Sequence, residues 1–147
     1  MIYRDFGKTG EKISALGYGC MRLPELEING AWTIDYDKSD EMLRRAYERG
    51  VNYFDSAPTY CHSNSEIAVG RALKDVRDKV LISTKISTHE IHEPGDYRRS
   101  LEKSLKQLDT DYIDFYHFWA LNRDTYDNVV LRYHLLEEIS ALYDIHP

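Results

Sequence analysis

An α/β fold built on a parallel sheet is what the 147-residue sequence predicts, and three observations carry that prediction. Strand-like runs begin near residues 15, 52, 81 and 112, a repeat of about 30 residues. Amphipathic helical patterns fill the intervals, and such a βα alternation makes parallel strands joined by right-handed crossovers. The third observation is chemical. Asp55, Lys85 and His117 each stand where one of three successive strands ends, and Tyr60 lies in the loop after the first of them.

The elements follow in order. Ile2–Phe6 and Lys12–Ser14 flank Gly7-Lys8-Thr9-Gly10 and read as a hairpin around a glycine-bearing turn. That turn is no nucleotide-phosphate loop, because it lacks a Gly-Lys-Ser/Thr ending and a following helix. Ala15–Cys20 reads as a short strand whose Gly17 and Gly19 permit close approach to the backbone. The two glycines resemble the start of a dinucleotide fingerprint, but no third glycine opens a helix. Arg22–Tyr36, with Pro24, Asn29 and Gly30, reads as a long loop. A helix is expected from Asp37 or Ser39, either of which can cap its first turn. Met42, Leu43, Ala46 and Tyr47 recur at helical spacing, and Gly50 supplies the left-handed stop.

Val51–Asp55 is an apolar strand, and Asn64–Leu73 reads as a second helix burying Ile67, Ala68 and Leu73. Leu81–Lys85 is the third strand and Ile86–Gly95 a loop. Asp96 is expected to cap a third helix with Tyr97, Leu101, Leu105 and Leu108 on its apolar stripe. Arg98, Arg99, Lys103 and Lys106 solvate the other side. Tyr112–Phe118 is the fourth strand. Asn128–Leu142 reads as a last helix with Val129, Leu136 and Ile139 among its buried positions.

Composition narrows the function classes. The net charge of −6 argues against a nucleic-acid surface, which needs clustered Lys and Arg. No apolar run approaches the roughly 20 residues of a membrane span. Met1–Gly10 is polar and charged, unlike a secretory signal. Two cysteines, Cys20 and Cys61, suit free thiols in a reducing compartment, so a cytoplasmic protein is expected. His89 and His92 lack companion ligands and read as loop residues, so no metal site is expected. Cys61, beside Tyr60, reads as an inert thiol or as a reactive one.

Two architectures fit a parallel βα repeat, a doubly wound sheet and a (β/α) barrel. The polar constellation favours the barrel, where catalytic groups come from the C-terminal ends of several different strands. A doubly wound dinucleotide fold should instead be dominated by its glycine fingerprint. Each polar residue also has a plain reading. Asp55 can cap the turn through Ser56 and Ala57, Lys85 can be a solvated charge, Tyr60 a loop aromatic and His117 a core histidine. Their joint placement at successive strand ends is what points to a site.

At this point the residues resemble a family. ISALGYGCMRLP, VNYFDSAPTY with NSEIAVGRAL, VLISTK, and LDTDYIDFYHFW are similar, in order, to four separated motifs of the aldo-keto reductases. The resemblance runs over about residues 3–140. It implies the N-terminal half of a (β/α)8 TIM barrel, about four βα units preceded by a β-hairpin, in one domain spanning residues 1–147. It also implies NADP(H) as cofactor, bound without a Rossmann fold. Carried over by motif, Asp55, Tyr60, Lys85 and His117 are the catalytic four, and Cys20 and Met21, with Asp55, meet the nicotinamide end of the cofactor. The tyrosine content and the segment HLLEE look like a branch that often carries a ferredoxin-like extension, which these 147 residues do not include.

The chemistry needs those residue types. Hydride delivery to a carbonyl builds negative charge on oxygen, which a nearby acid must neutralise with a proton. A phenol donates poorly at neutral pH unless a cation stabilises the phenolate. Lys85 is expected to be that cation, Asp55 to hold and balance it, and His117 to orient the carbonyl by hydrogen bonding.

A complete barrel of this kind takes about 250 residues. The family's contacts to the adenosine phosphate and amide come mostly from the other half. The ending after Ser140 departs from the usual approach to a fifth strand, as a truncation, a frameshifted end or a fragment would. Two functions are therefore carried forward. One is an oxidoreductase that reduces a small carbonyl compound with NADPH, Tyr60 donating the proton. The other is a non-catalytic half-barrel acting as an assembly or interaction module. Either way a homo-oligomer or a missing C-terminal half is the expected partner.

Overall fold

A computed structural model describes residues 1–142. Its centre is a four-stranded parallel sheet in the order β3 (Tyr18–Gly19), β6 (Tyr53–Asp55), β7 (Leu81–Ser87), β8 (Phe115–Trp119). Strands thus neighbour in sequence order, as in a barrel wall, and no strand crosses over another as in a doubly wound sheet. Among the described residues no further strand pairs with the two edges, β3 and β8. The N-terminal hairpin forms as expected, β1 (Tyr3–Asp5) pairing antiparallel with β2 (Lys12–Ser14). Phe6, at its turn, packs edge-on against Phe115 at 4.7 Å and tilts against Tyr53 at 6.0 Å. Those two rings mark the N-terminal ends of their strands, so the hairpin plugs the bottom of the curved sheet.

The helices cover the convex face. α1 (Tyr36–Glu48), α2 (Ser65–Leu73) and α3 (Asp96–Leu108) bury Leu43, Ala68, Val69, Leu73 and Leu108 together with Phe54 and Ile82 from the sheet. A second cluster, Ile86, Tyr97, Leu101, Val130 and Leu135, closes the far end. Gly70 lets α2 and α3 meet. A Cβ there would lie 2.2 Å from the carbonyl oxygen of Leu108.

Several expectations need correction. Arg22–Tyr36 is no simple loop, because β4 (Glu25–Ile28) and β5 (Ala31–Ile34) form a second hairpin. Its turn is Asn29-Gly30 with φ of +54° and +81°, the two-residue left-handed connection that matches strand twist. The cap of α1 is Asp35, whose carboxylate accepts from the Lys38 amide, while Ser39 is wholly buried inside the helix. Met42 is exposed, as is Ile67, and Glu66 takes the buried place on α2. The third strand runs on to Ser87 and a short turn follows at Thr88–Glu90. Asp96 opens α3 from inside the helix and accepts from the amides of His92 and Glu93, Gly95 being the cap.

The fourth strand starts at Phe115 and reaches Trp119, later than the run Tyr112–Phe118 suggested. The last helix is broken. A short α4 (Arg123–Thr125) leads into a π-helical turn at Tyr126–Leu131, and α5 (Leu135–Leu142) follows a left-handed His134. Leu136 is exposed and Val129 only half-buried, whereas Val130 and Leu135 are the buried residues. The side chain of Ile139 lies outside the described residues.

Candidate active site

The strand register brings the polar residues to one face. Gly19 pairs with Asp55, Asp55 with Ser83, and Lys85 with His117. In parallel strands, paired residues point to the same side, and successive residues alternate. Asp55, Ser83, Lys85 and His117 therefore project into the concavity while Phe54, Ile82, Thr84 and Ile86 enter the helix-covered core.

Lys85 is the hub. Its side chain is 11% exposed, and its ammonium donates to both carboxylate oxygens of Asp55 at 3.0 and 2.9 Å. The Ser56 carbonyl accepts from it at 2.6 Å and the Tyr60 hydroxyl lies at 3.4 Å. The ammonium also sits 4.7 Å from the centre of the Tyr60 ring. Ser83 donates to Asp55 Oδ1 at 2.7 Å, which orients the carboxylate. A residue two positions before Lys85 on the same strand had to share its face, so the alternation signalled Ser83, but only the pairing showed its partner.

The Tyr60 loop is tied down on both sides. The Ser56 amide bonds the Ser83 carbonyl at 2.9 Å, and the Ser56 hydroxyl meets that of Ser65 at 2.8 Å. Beyond Tyr60, Cys61, His62 and Ser63 all adopt positive φ, between +51° and +66°. Each such residue without glycine costs on the order of 1–2 kcal/mol. The surroundings offset this. Asn64 Nδ2 donates to the Cys61 and His62 carbonyls, and the Cys61 thiol points at the Met21 carbonyl, 3.4 Å away. His62 Nδ1 is 2.6 Å from Glu25 Oε1, and Trp32 stacks on the His62 ring. The hairpin β4–β5 thus braces the turn that follows Tyr60.

His117 stands beside Lys85 and is open to solvent on one side. Partial burial of its ring, aided by the Lys85 charge and opposed by Asp55, lowers its pKa and so favours the neutral imidazole. Cys20 is wholly buried and its thiol is pushed up by burial and by Asp55, so it is inert. Its carbonyl already accepts from Ser65 Oγ at 2.9 Å, while Met21 is exposed. A small recess at the strand ends is lined by residues of the loop that carries Tyr60, among them Pro58, and by Lys85, Ser87, Glu90 and Trp119. Among the described residues no group of three His, Cys, Asp or Glu is placed to hold a metal, and no helix is long and apolar enough to cross a membrane.

A carboxylate that ends β6, a phenol in the loop after it and an ammonium near the C-terminal end of the neighbouring β7 are the arrangement of a (β/α) barrel that carries its chemistry at that rim. The chain belongs to the aldo/keto reductase family, whose model matches residues 15–146. It is 34% identical over 122 residues to a probable aldo-keto reductase 1 of Glycine max, covering 76% of this chain and 34% of that protein. Among solved structures it is similar to a thermostable aldo-keto reductase, Tm1743, with a TM-score of 0.72 and 33% identity. That match covers 97% of this chain and 51% of the other. An aldo-keto reductase from Klebsiella pneumoniae in complex with NADPH shares the fold at 23% identity and a TM-score of 0.65, over 84% of this chain and 43% of that one. The chain therefore spans about a third to a half of the length of these relatives.

Proposed function

We propose that this chain contributes the tyrosine-centred half of an NADPH-dependent reductase of small carbonyl compounds. The observation that carries the reading is the Lys85 ammonium shared between the Asp55 carboxylate and the Tyr60 hydroxyl. In this reading Tyr60 gives its proton to the carbonyl oxygen, and Lys85 stabilises the phenolate left behind. Asp55, fixed by Ser83, keeps the ammonium in place and balances its charge. His117, neutral and level with Lys85, adds a hydrogen-bonding group at the flank of the pair.

NADPH, when bound, supplies the hydride. The residues present suit its nicotinamide end. Gly19 faces the concavity next to Asp55 with open space where a Cβ would be, and exposed Met21 follows it. Cys20 can contribute only main chain, since its side chain is in the core. The NADPH bound by the Klebsiella relative supports the same cofactor here.

Tyr60→Phe tests the assignment: carbonyl reduction should vanish while NADPH binding, followed by its fluorescence, stays nearly unchanged. Retained turnover would show that the proton comes from elsewhere. The edges at β3 and β8, unpaired among the described residues, favour a second reading, a half-barrel that works through assembly with a second copy or with a C-terminal half. Saturable NADPH binding by these 147 residues supports the reductase, and its absence at millimolar cofactor supports the module.

A further inference from the structure

We propose that the outer groove between α2 and α3 binds a soluble phosphate monoester with a flat, apolar body. Lys103 and Lys106 take the phosphate, and Ile67 meets the apolar part. The groove lies on the helix-covered side of the sheet, whereas Asp55, Lys85 and His117 face the concavity, so the inference stands independently of the reductase reading.

Helical spacing builds the groove. On α2 and its C-terminal cap, Ile67, Arg71 and Lys74 stand at i, i+4 and i+7 and form one stripe. On α3, Lys103 and Lys106 stand at i and i+3 and form the facing one. Gly70 lets the two backbones close up at Leu108, which sets the stripes side by side. The hollow between them holds about 650 Å³, the size of a small-molecule site. Ile67 is 38% exposed there, and the lysine stems add apolar surface around it.

The charges set the ligand. Four cations line the hollow against one anion, Asp109, in a chain whose net charge is −6. Two of the four are already balanced. Arg71 Nε pairs with Asp40 at 3.1 Å and lies beside Asp37, and Lys74 pairs with Asp109. Lys103 and Lys106 make no hydrogen bond or ion pair among the described residues. Asp109 and Asp111 border Lys106 on its other side, yet neither is in ion-pair contact with it. Lys103 acts on Glu66 only through space, and burial raises the pKa of that carboxyl, which weakens it as a countercharge. Two unpaired ammoniums one helical turn apart match the nearly two charges of a phosphate monoester at neutral pH. A single carboxylate would leave one of them unmatched. A hollow set between two helices suits one molecule in solution rather than a flat membrane surface.

Equilibrium dialysis of residues 1–147 against 1-naphthyl phosphate, followed by naphthyl fluorescence, tests this. Binding should saturate, and 1-naphthol, which lacks the phosphate, should bind about tenfold more weakly. Lys103→Gln with Lys106→Gln should weaken 1-naphthyl phosphate by about tenfold. Lys103→Arg with Lys106→Arg keeps both charges and should stay within about threefold of the parent. Lys8→Gln with Lys79→Gln changes the net charge equally but outside the groove, and should leave the affinity within about twofold. Ile67→Gln should cost about threefold. The proposal is overturned if binding does not saturate, if 1-naphthol binds as well, or if the Lys103→Gln, Lys106→Gln pair leaves the affinity unchanged. Vesicles of phosphatidylcholine doped with phosphatidic acid should not sediment the chain. Sedimentation that is lost in the same pair of substitutions would assign the groove to a lipid headgroup and overturn the soluble ligand. None of these readouts uses NADPH or turnover, so either result leaves the reductase reading to its own test.

Discussion

Breaking the Lys85–Asp55 pair from either side should cost more than removing both charges together would suggest. In Lys85→Met the ammonium disappears, and with it the two bonds to Asp55 and the bond to the Ser56 carbonyl. Asp55 keeps Ser83 but becomes an uncompensated carboxylate. Stranding one member of a fully buried pair costs about 3–5 kcal/mol. The Asp55 side chain is 34% exposed, so water recovers part of that, and about 2 kcal/mol is expected. Asp55→Asn instead leaves the 11% exposed ammonium without its countercharge and with only neutral acceptors, the amide oxygen, the Ser56 carbonyl and the Tyr60 hydroxyl, at about 2–3 kcal/mol. The double variant holds no orphaned charge and should recover about 1–2 kcal/mol relative to the sum of the singles. Tyr60→Phe should be nearly neutral in the same assay, because the long 3.4 Å contact is lost while the ring beneath the ammonium is kept. Urea denaturation followed by circular dichroism measures all four, at one protein concentration because association shifts apparent stability. Single effects that add within about 0.5 kcal/mol would refute the coupling.

Other tests reach the rest of the molecule. Gly70→Ala should gain about 1 kcal/mol of helix propensity yet lose several times that. The new Cβ would meet the Leu108 backbone at 2.2 Å and force α2 and α3 apart, so an unchanged or raised melting temperature would contradict the packing. Glu66 accepts from Thr84 Oγ1 at 2.6 Å, but its other oxygen has no hydrogen-bond partner among the described residues, and burial raises its pKa. The folded state therefore binds the proton more tightly, and stability should fall as pH rises from the unfolded carboxyl value of about 4.3 through the raised folded one. Glu66→Gln should remove that slope, matching the parent in acid and exceeding it near pH 8; an unaltered slope would reject the assignment. Residues 1–147 prepared alone should sediment as dimers or larger species at micromolar concentration. The surface is 9111 Å², against about 7,800 Å² for a closed globule of 17.2 kDa. A sharply melting monomer would count against this expectation.

Much of the fold was legible because its signals are local. Alternation marked the strands, helical spacing marked Leu43, Tyr97, Leu101 and Leu108 as core, and strand ends placed Asp55 and Lys85 on one rim. The Asn29-Gly30 pair was a local signal too, for a hairpin that the reading as a loop passed over. What the residue order by itself determined was the βα repeat and the candidates at its strand ends. Tertiary structure alone decided that Glu66 rather than Ile67 faces inward, since Thr84 on β7 offers it a hydroxyl from 18 positions away. It also decided that Ser83 orients Asp55, that His62 and Glu25 brace the left-handed turn after Tyr60, and that Trp119 shares the recess with Tyr60. Each of these depends on strand register and on the way helices settle over the sheet. A one-residue slip would turn every side chain on a strand to the opposite face. Local periodicity carries no record of which partner stands across the gap, so the distances that make a chemical site come from packing.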